Sequence, residues 1–374
     1  MTLKSIAVVF GVTAALVVVP VAPAFAHGGG VSDATNFRSS VNDVVERDAS
    51  DEVTGPGAGV STVTWRVLAG DALLQVTNTS GQELRVPGYD DEPYLRITAD
   101  GVWENRNSPA VYLNNDRFAQ TPVPEDVSAQ AEPRWVKVGD GPTYAWHDHR
   151  IHWMAATPPA QVKAAPGREV VVYERWEVPF ELAGEPLAVT GQLRWIPPVR
   201  GWPWVAAALG AATLALALVA LMAPRSERGR VVVRLGGVIV GAVALLDLVH
   251  AVDDILAVPA TLSENVLAFG QSAIFIALGV FGALKGWRGG EGSAAGLAVG
   301  AGSLTFGIGL THLSTLTASQ LATTLPPAFS RAVVAANLGL VAVLLVAGWR
   351  ASQDTSEVAA DVPGKQAPAT EAVP

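Results

Sequence analysis

Two hydrophobic rhythms divide the chain near residue 200. Before it, short β-branched runs are separated by polar turns. Thr62–Leu68 (TVTWRVL) and Ala72–Thr77 (ALLQVT) flank Ala-Gly-Asp, and Leu84–Val86, Tyr94–Ala99, Trp135–Val138, Glu169–Glu177 and Leu187–Trp195 repeat the pattern. Short strands at such spacing predict an antiparallel β-sandwich, for which Ig-like and cupredoxin-like topologies both fit. The segment from His27 to Gly59 has apolar positions at Val41, Val44 and Val45 and reads as a short helix or an ordered arm.

After residue 200 the apolar runs lengthen. Five are expected to span a membrane as helices: 202–222, 231–250, 266–284, 294–313 and 332–348. Each is close to the ~20 residues that cross a ~30 Å hydrocarbon core. Gly237-xxx-Gly241 and Gly296-xxx-Gly300 allow close helix approach. The polar segment 351–374, rich in Ala, Pro, Glu and Thr, reads as a disordered cytoplasmic tail.

Charge orients these helices. Arg225, Arg228, Arg230, Arg234, Lys285, Arg288 and Arg350 fall in one set of connections, and only Arg331 in the other. The positive-inside rule then predicts a multi-pass plasma-membrane protein with residues 27–200 outside and the carboxy terminus inside. At the start, Lys4, the apolar run Ile6–Pro20 and Ala24-Phe25-Ala26 form the layout of a signal peptide over residues 1–26. Cleavage after Ala26 leaves His27 first, with its amine and imidazole available to chelate an ion. A cut after Ala24 instead gives Phe-Ala-His, which also chelates Cu(II).

The whole chain carries 25 Lys+Arg against 34 Asp+Glu and no cysteine. Thiolate metal sites and disulfides are therefore excluded. An acidic outer segment attracts cations rather than nucleic acid. Neither a Ser/His/Asp nucleophile arrangement nor a phosphate loop stands out.

The candidate chemistry is histidine. Three of the six histidines lie in YAWHDHRIHWM, Tyr144–Met154. On a strand, His147 and His149 would share one face and His152 the other, unless a turn follows Arg150. Imidazole suits copper and zinc, and the Met154 thioether favours Cu(I). The acidic knot Asp90-Asp91-Glu92 reads as a solvated turn, with a hard cation as the alternative. In the apolar half, His250 and His312 lie near the outer ends of their helices. Asp247 and Asp254 flank His250 at i−3 and i+4. That second group suggests metal or haem ligation, proton relay, or capping of helix ends.

A mature amino-terminal histidine with a downstream His-x-His on a β-sandwich resembles the copper site of the particulate methane monooxygenase B subunit. It is also similar to periplasmic copper-resistance proteins of the C type. The resemblance rests on about a dozen residues and implies His27, His147 and His149 as copper ligands. It gives His152 and Met154 no counterpart. The stretch Gly88–Asn114 resembles an uncharacterised family of actinobacterial exported membrane proteins, from which no activity follows. Together these features lead to an expected membrane-anchored, extracytoplasmic copper-binding protein for capture, delivery or homeostasis. Its partners would be the ion, membrane lipid and another copper-handling membrane protein. The alternatives are a membrane oxidoreductase or oxygenase subunit using copper or haem, and a metal-free cell-envelope interaction protein.

Overall fold

The computed structural model describes residues 34–47, 52–56, 60–260 and 262–360. The expected signal peptide and His27 lie outside the described residues.

The first part is built from antiparallel sheets. One has eight strands in the order β2-β1-β11-β10-β5-β6-β7-β8, and the other three, in the order β3-β4-β9. The strands are β1 (Phe37–Arg47), β2 (Val53–Pro56), β3 (Val63–Leu68), β4 (Leu73–Asn78), β5 (Leu84–Pro87), β6 (Pro93–Thr98), β7 (Gly101–Asn105), β8 (Trp135–Gly139), β9 (Thr143–Trp146), β10 (Val170–Leu182) and β11 (Glu185–Trp195). Two short helices, α1 (Ala110–Leu113) and α2 (Ala160–Ala164), sit in the connections. The two sheets share one core. Trp65, Leu74, Val76 and Trp146 of the small sheet meet Leu95, Ile97, Trp176, Val178, Phe180 and Val189 of the large one. Alternation along each strand supplies these inward positions.

Strand β1 replaces the predicted helix or arm. It pairs with β11, and its register shifts between Val41 and Asp43. The bulge inserts a residue, so inward positions run 37, 39 and 41 and then 44 and 45. That spacing imitates a helical period. Glu104 and Asn105 form the end of β7.

The second part is helical: α3 (Trp202–Met222), α4 (Arg228–Ala257), α5 (Leu262–Arg288), α6 (Ser293–Leu304), α7 (Leu313–Thr317), α8 (Pro327–Gly339) and α9 (Val341–Ala360). Among the described residues, four helices are long and apolar enough to cross a membrane, not the five expected: 202–222, 228–257, 265–288 and 327–353. The expected span 294–313 does not qualify. It is a shorter helix, Ser293–Gly309, whose last turn, Thr305–Gly309, is a π-helix. Thr305 packs there against the buried Asn337, whose carbonyl accepts the Thr305 hydroxyl at 2.9 Å. The tail expectation also changes, because α9 carries the helix on to Ala360. The small residues serve as anticipated. A Cβ on Gly282 would lie 2.6 Å from Gly300 Cα, and one on Gly237 would lie 2.8 Å from the Ala283 carbonyl.

The sheets and helices meet at one end of the bundle. Thr35 and Gln320 pair through backbone bonds of 3.0 and 2.9 Å, and Val199 N donates to Thr317 O at 2.8 Å. Ala72 and Leu73, at the β3–β4 turn, pack on Val258 and Ala257 at the end of α4. The basic residues gather at the other end of α4. A Cβ on Gly229 would lie 2.9 Å from the Arg350 guanidinium, and one on Gly289 would lie 4.0 Å from Arg234.

Candidate metal centre

Strand β9 stops at Trp146, which pairs with Leu74 on β4. His147 and His149 are therefore not on a strand, contrary to the parity reading. His147 leaves the sheet edge beside the backbone of Ala72, which favours its protonated ring. Asp148 then caps a single 3-10 turn, His149–Ile151, by accepting from the Arg150 N–H at 3.0 Å. Side chains three apart eclipse in such a turn, so His152 comes back beside His149. A turn thus lets His152 join the other two, but it starts at His149 rather than after Arg150.

The three rings converge. Their centroids are 5.5 Å apart for His147 and His149, 4.7 Å for His147 and His152, and 5.2 Å for His149 and His152. One nitrogen of each lies within 4.8 Å of the other two. Imidazoles bound to one ion at about 2.0–2.1 Å have centroids about 4.5–5.5 Å apart for angles of about 90–120°. The observed separations match that range, so small side-chain rotations suffice to bring the nitrogens onto an ion.

Hydrogen bonds decide which nitrogens are free. His149 Nε2 lies 3.0 Å from the Asp116 carbonyl oxygen, and His152 Nδ1 lies 3.2 Å from the Trp153 carbonyl oxygen. Assigned from these bonds, the protons sit on Nε2 of His149 and Nδ1 of His152, leaving lone pairs on the opposite nitrogens. Nε2 of His147 and Nε2 of His152 are buried without a hydrogen-bond partner. An orphaned buried acceptor costs about 1–3 kcal/mol, which a bound cation would offset.

The supporting shell comes from distant segments. The Tyr89 ring stacks on His149 at 5.8 Å, and its hydroxyl accepts the His149 N–H at 3.0 Å. The Asp116 carboxylate accepts from the N–H groups of Phe118, Gln120 and Thr121 and from the Thr121 hydroxyl, at 2.7–3.0 Å. Its carbonyl is thereby held toward His149. Asp148 is fully buried. It accepts from Trp146 Nε1 at 2.9 Å and from Arg150 Nε and Nη2 at 2.9 and 2.7 Å. Burial alone would raise the Asp148 carboxyl, but the Arg150 guanidinium and these bonds hold it below the usual carboxylate range. Asp71, also fully buried, pairs with Arg117.

This setting keeps the imidazoles neutral. Burial, assisted by His149 and Arg117, lowers His147 to about 4. Burial, with His147 and Arg117 beside it, lowers His152 to about 2. Burial lowers His149 too, opposed by its bond to Asp116. Three neutral imidazoles between two internally neutralised ion pairs form a nitrogen-donor set for a transition metal.

The other sequence candidates fall differently. Met154 is 36% exposed, whereas His152 is fully buried. Among Asp90, Asp91 and Glu92, the last is buried. It accepts the Asp90 N–H at 3.0 Å and the Ser108 hydroxyl, so it organises its own turn. In the helices, His250 is brought to Asp254, with Nδ1 3.5 Å from Oδ1, and to His312, at a centroid separation of 6.1 Å. Asp247 instead accepts from Asn337 Nδ2 at 2.6 Å. Asp253, which the sequence did not single out, accepts from the Thr324 N–H at 2.9 Å and from the hydroxyls of Thr323 and Thr324. Tyr89, Asp116 and Ala72 were also missed. Tyr89 alone had a local signal, its place beside the acidic knot.

Comparisons with family models, curated proteins and solved structures return no match for this chain.

Proposed function

We propose that the chain is a membrane-anchored protein that holds one transition-metal ion, copper, on His147, His149 and His152. The role is capture or delivery, not catalysis. One observation carries this reading: three converging imidazoles, two of them with buried, unpartnered nitrogens. Copper is favoured because Cu²⁺ stands above the other first-row divalent ions for nitrogen donors. The three rings leave a fourth position, and the amine and imidazole of His27 are our candidates for it. We read the two sheets as faces of an antiparallel sandwich lying outside the membrane. The gathering of basic residues at the far end of α4 supports that orientation.

The test is metal analysis of the full chain, purified in detergent with its authentic amino terminus. Copper supplied in slight excess and then desalted should remain bound. The His147→Ala/His152→Ala variant should lose one equivalent. Retention of that equivalent by the variant, in folded protein, would end the proposal. Zinc retained in preference to copper would change the ion but not the site.

A further inference from the structure

The helical part contains a second group of donors that the three-histidine centre does not use. His250 lies on α4, seven residues before Ala257. It is 6% exposed, and neither ring nitrogen has a hydrogen-bond partner. A buried imidazole with both nitrogens unsatisfied is costly in an apolar bundle and calls for a ligand.

The neighbours are spaced for one. His250 Nδ1 and Asp254 Oδ1 are 3.5 Å apart, too long for a good hydrogen bond. It is close to the about 3.4 Å that separates two donors on a tetrahedral ion with bonds of about 2.0–2.1 Å. The His250 and His312 centroids lie 6.1 Å apart. On such a tetrahedral ion two imidazole centroids lie about 5.2 Å apart, so the half-buried His312 ring has to close on His250 by about 1 Å.

His312 is prepared for this role. Its Nδ1 lies 3.0 Å from the Ile308 carbonyl oxygen, which leaves Nε2 as the free nitrogen. The π-helix Thr305–Gly309 lies just before it, where Leu310 N bonds Thr305 O at 3.0 Å. Such bulges recur at functional sites because they re-aim the residues around them. Asp253 is occupied by Thr323 and Thr324 and ties this end of α4 to the loop before α8. Asp247 is occupied by Asn337. Donor atoms of His250, Asp253 and Asp254 lie within 4.8 Å of one another; with the Asp253 oxygens already accepting from Thr323 and Thr324, His250 and Asp254 are left, and His312 adds the second imidazole. His312 is half-buried and Thr311 exposed, which gives an ion a way in.

We infer that His250, His312 and Asp254 form a second site for a divalent transition-metal ion, inside the helical bundle at the end facing the sheets. Two imidazoles and one carboxylate suit Cu²⁺ and Zn²⁺. The site stands on its own residues. Its position as the inner of two stations rests on the reading of the three-histidine centre given above. Ala72 links the two regions: its backbone lies beside the His147 ring, and it packs against Val258. His250 lies eight residues back along α4 from Val258, about 12 Å at 1.5 Å per residue.

Copper equivalents per chain test this on the full protein in detergent. The parent should hold two Cu²⁺ after desalting. His250→Gln/His312→Gln should hold one, and His147→Ala/His152→Ala should also hold one. His312→Gln alone, at a half-buried position, guards against a folding failure of the double variant and should weaken the second equivalent. Asp247→Asn should keep both. A folded His250→Gln/His312→Gln protein that binds as much copper as the parent overturns the second site and leaves the first untouched. A parent with one equivalent, lost with the His250/His312 pair and kept with the His147/His152 pair, upholds the second site and removes the first.

Discussion

His149 Nε2 lies 3.0 Å from the carbonyl oxygen of Asp116, a residue 33 positions earlier in the chain. The carbonyl itself cannot be substituted, but the carboxylate that fixes its loop can. Asp116→Ala removes acceptors for the N–H groups of Phe118, Gln120 and Thr121. The carbonyl then drifts, and His149 loses its fixed tautomer. Outer partners of metal-binding histidines are typically worth about 10–100-fold in affinity. Asp116→Ala should therefore weaken copper about tenfold or more in a chelator competition. An unchanged affinity would mean that His149 is not a ligand or does not need this support.

All three histidines should matter comparably. Because the 3-10 turn returns His152 to the cluster, His152→Ala should lose as much affinity as His147→Ala or His149→Ala. Isothermal titration of the three single variants provides the comparison. A His152→Ala protein with parental affinity would restore the strand-parity view, with His152 facing away.

The pH dependence of the metal-free protein follows from the neutral imidazoles. Burial lowers His147 to about 4 and His152 to about 2, while an unfolded histidine titrates at about 6.5. Below about 6.5 the unfolded chain takes up protons that the folded chain does not, so unfolding becomes easier as pH falls. The stability these groups contribute is complete above that value and declines below it, down to about pH 4 for His147 and about pH 2 for His152. At pH 5 each accounts for a loss of about 2 kcal/mol by linkage. Denaturant unfolding of metal-free parent and His152→Ala proteins at pH 7.5 and 5 measures it. The parent should lose more than the variant over that interval, and equal losses would show that His152 is not held neutral.

What could be read from the chain was local. Val63–Leu68 and Leu73–Asn78 were legible because their alternation is uninterrupted. Strand β1 was not, since the bulge at Val41/Asp43 turned a two-residue period into a helix-like one. The apolar run at 294–313 has the composition of a span, but the helix it forms is shorter, with a π-turn set by Thr305 packing on Asn337. At the centre, His147, His149 and His152 were visible as a cluster. Their geometry depends on Asp148 capping a turn and on Tyr89 and Asp116, which lie 60 and 33 positions from His149. Such pairings carry no periodic signal. His250 and Asp254 at i+4 could be paired on sight, whereas the satisfaction of Asp253 by Thr323 and Thr324 crosses 70 and 71 positions.

The Asp148–Arg150 pair should be needed for folding. Asp148 has no exposure and holds the turn, the Trp146 indole and the guanidinium together. Asp148→Ala leaves the Arg150 charge buried without a partner, at a cost of about 3–5 kcal/mol. The double variant Asp148→Ala/Arg150→Met removes both charges and should recover part of that loss. Tryptophan fluorescence in urea can report all three proteins. A double variant no more stable than Asp148→Ala would show that the turn, not the charge, sets the penalty.

The orientation in the membrane can be tested without removing any native thiol, because the chain has no cysteine. Gln161 is exposed on α2 among the sheets, and Ser226 is exposed in the turn before α4. The two lie toward opposite ends of the molecule, because α4 runs from Arg228 near Arg350 to Ala257 beside Leu73. Basic residues remain on the cytoplasmic side during insertion, and Arg225, Arg228, Arg230 and Arg234 surround Ser226. On whole cells, an impermeant maleimide should therefore label Gln161→Cys and spare Ser226→Cys until the membrane is opened. The reverse pattern would place the three-histidine centre inside the cell. Capture of an ion from outside would then be untenable, whatever the centre's affinity for copper.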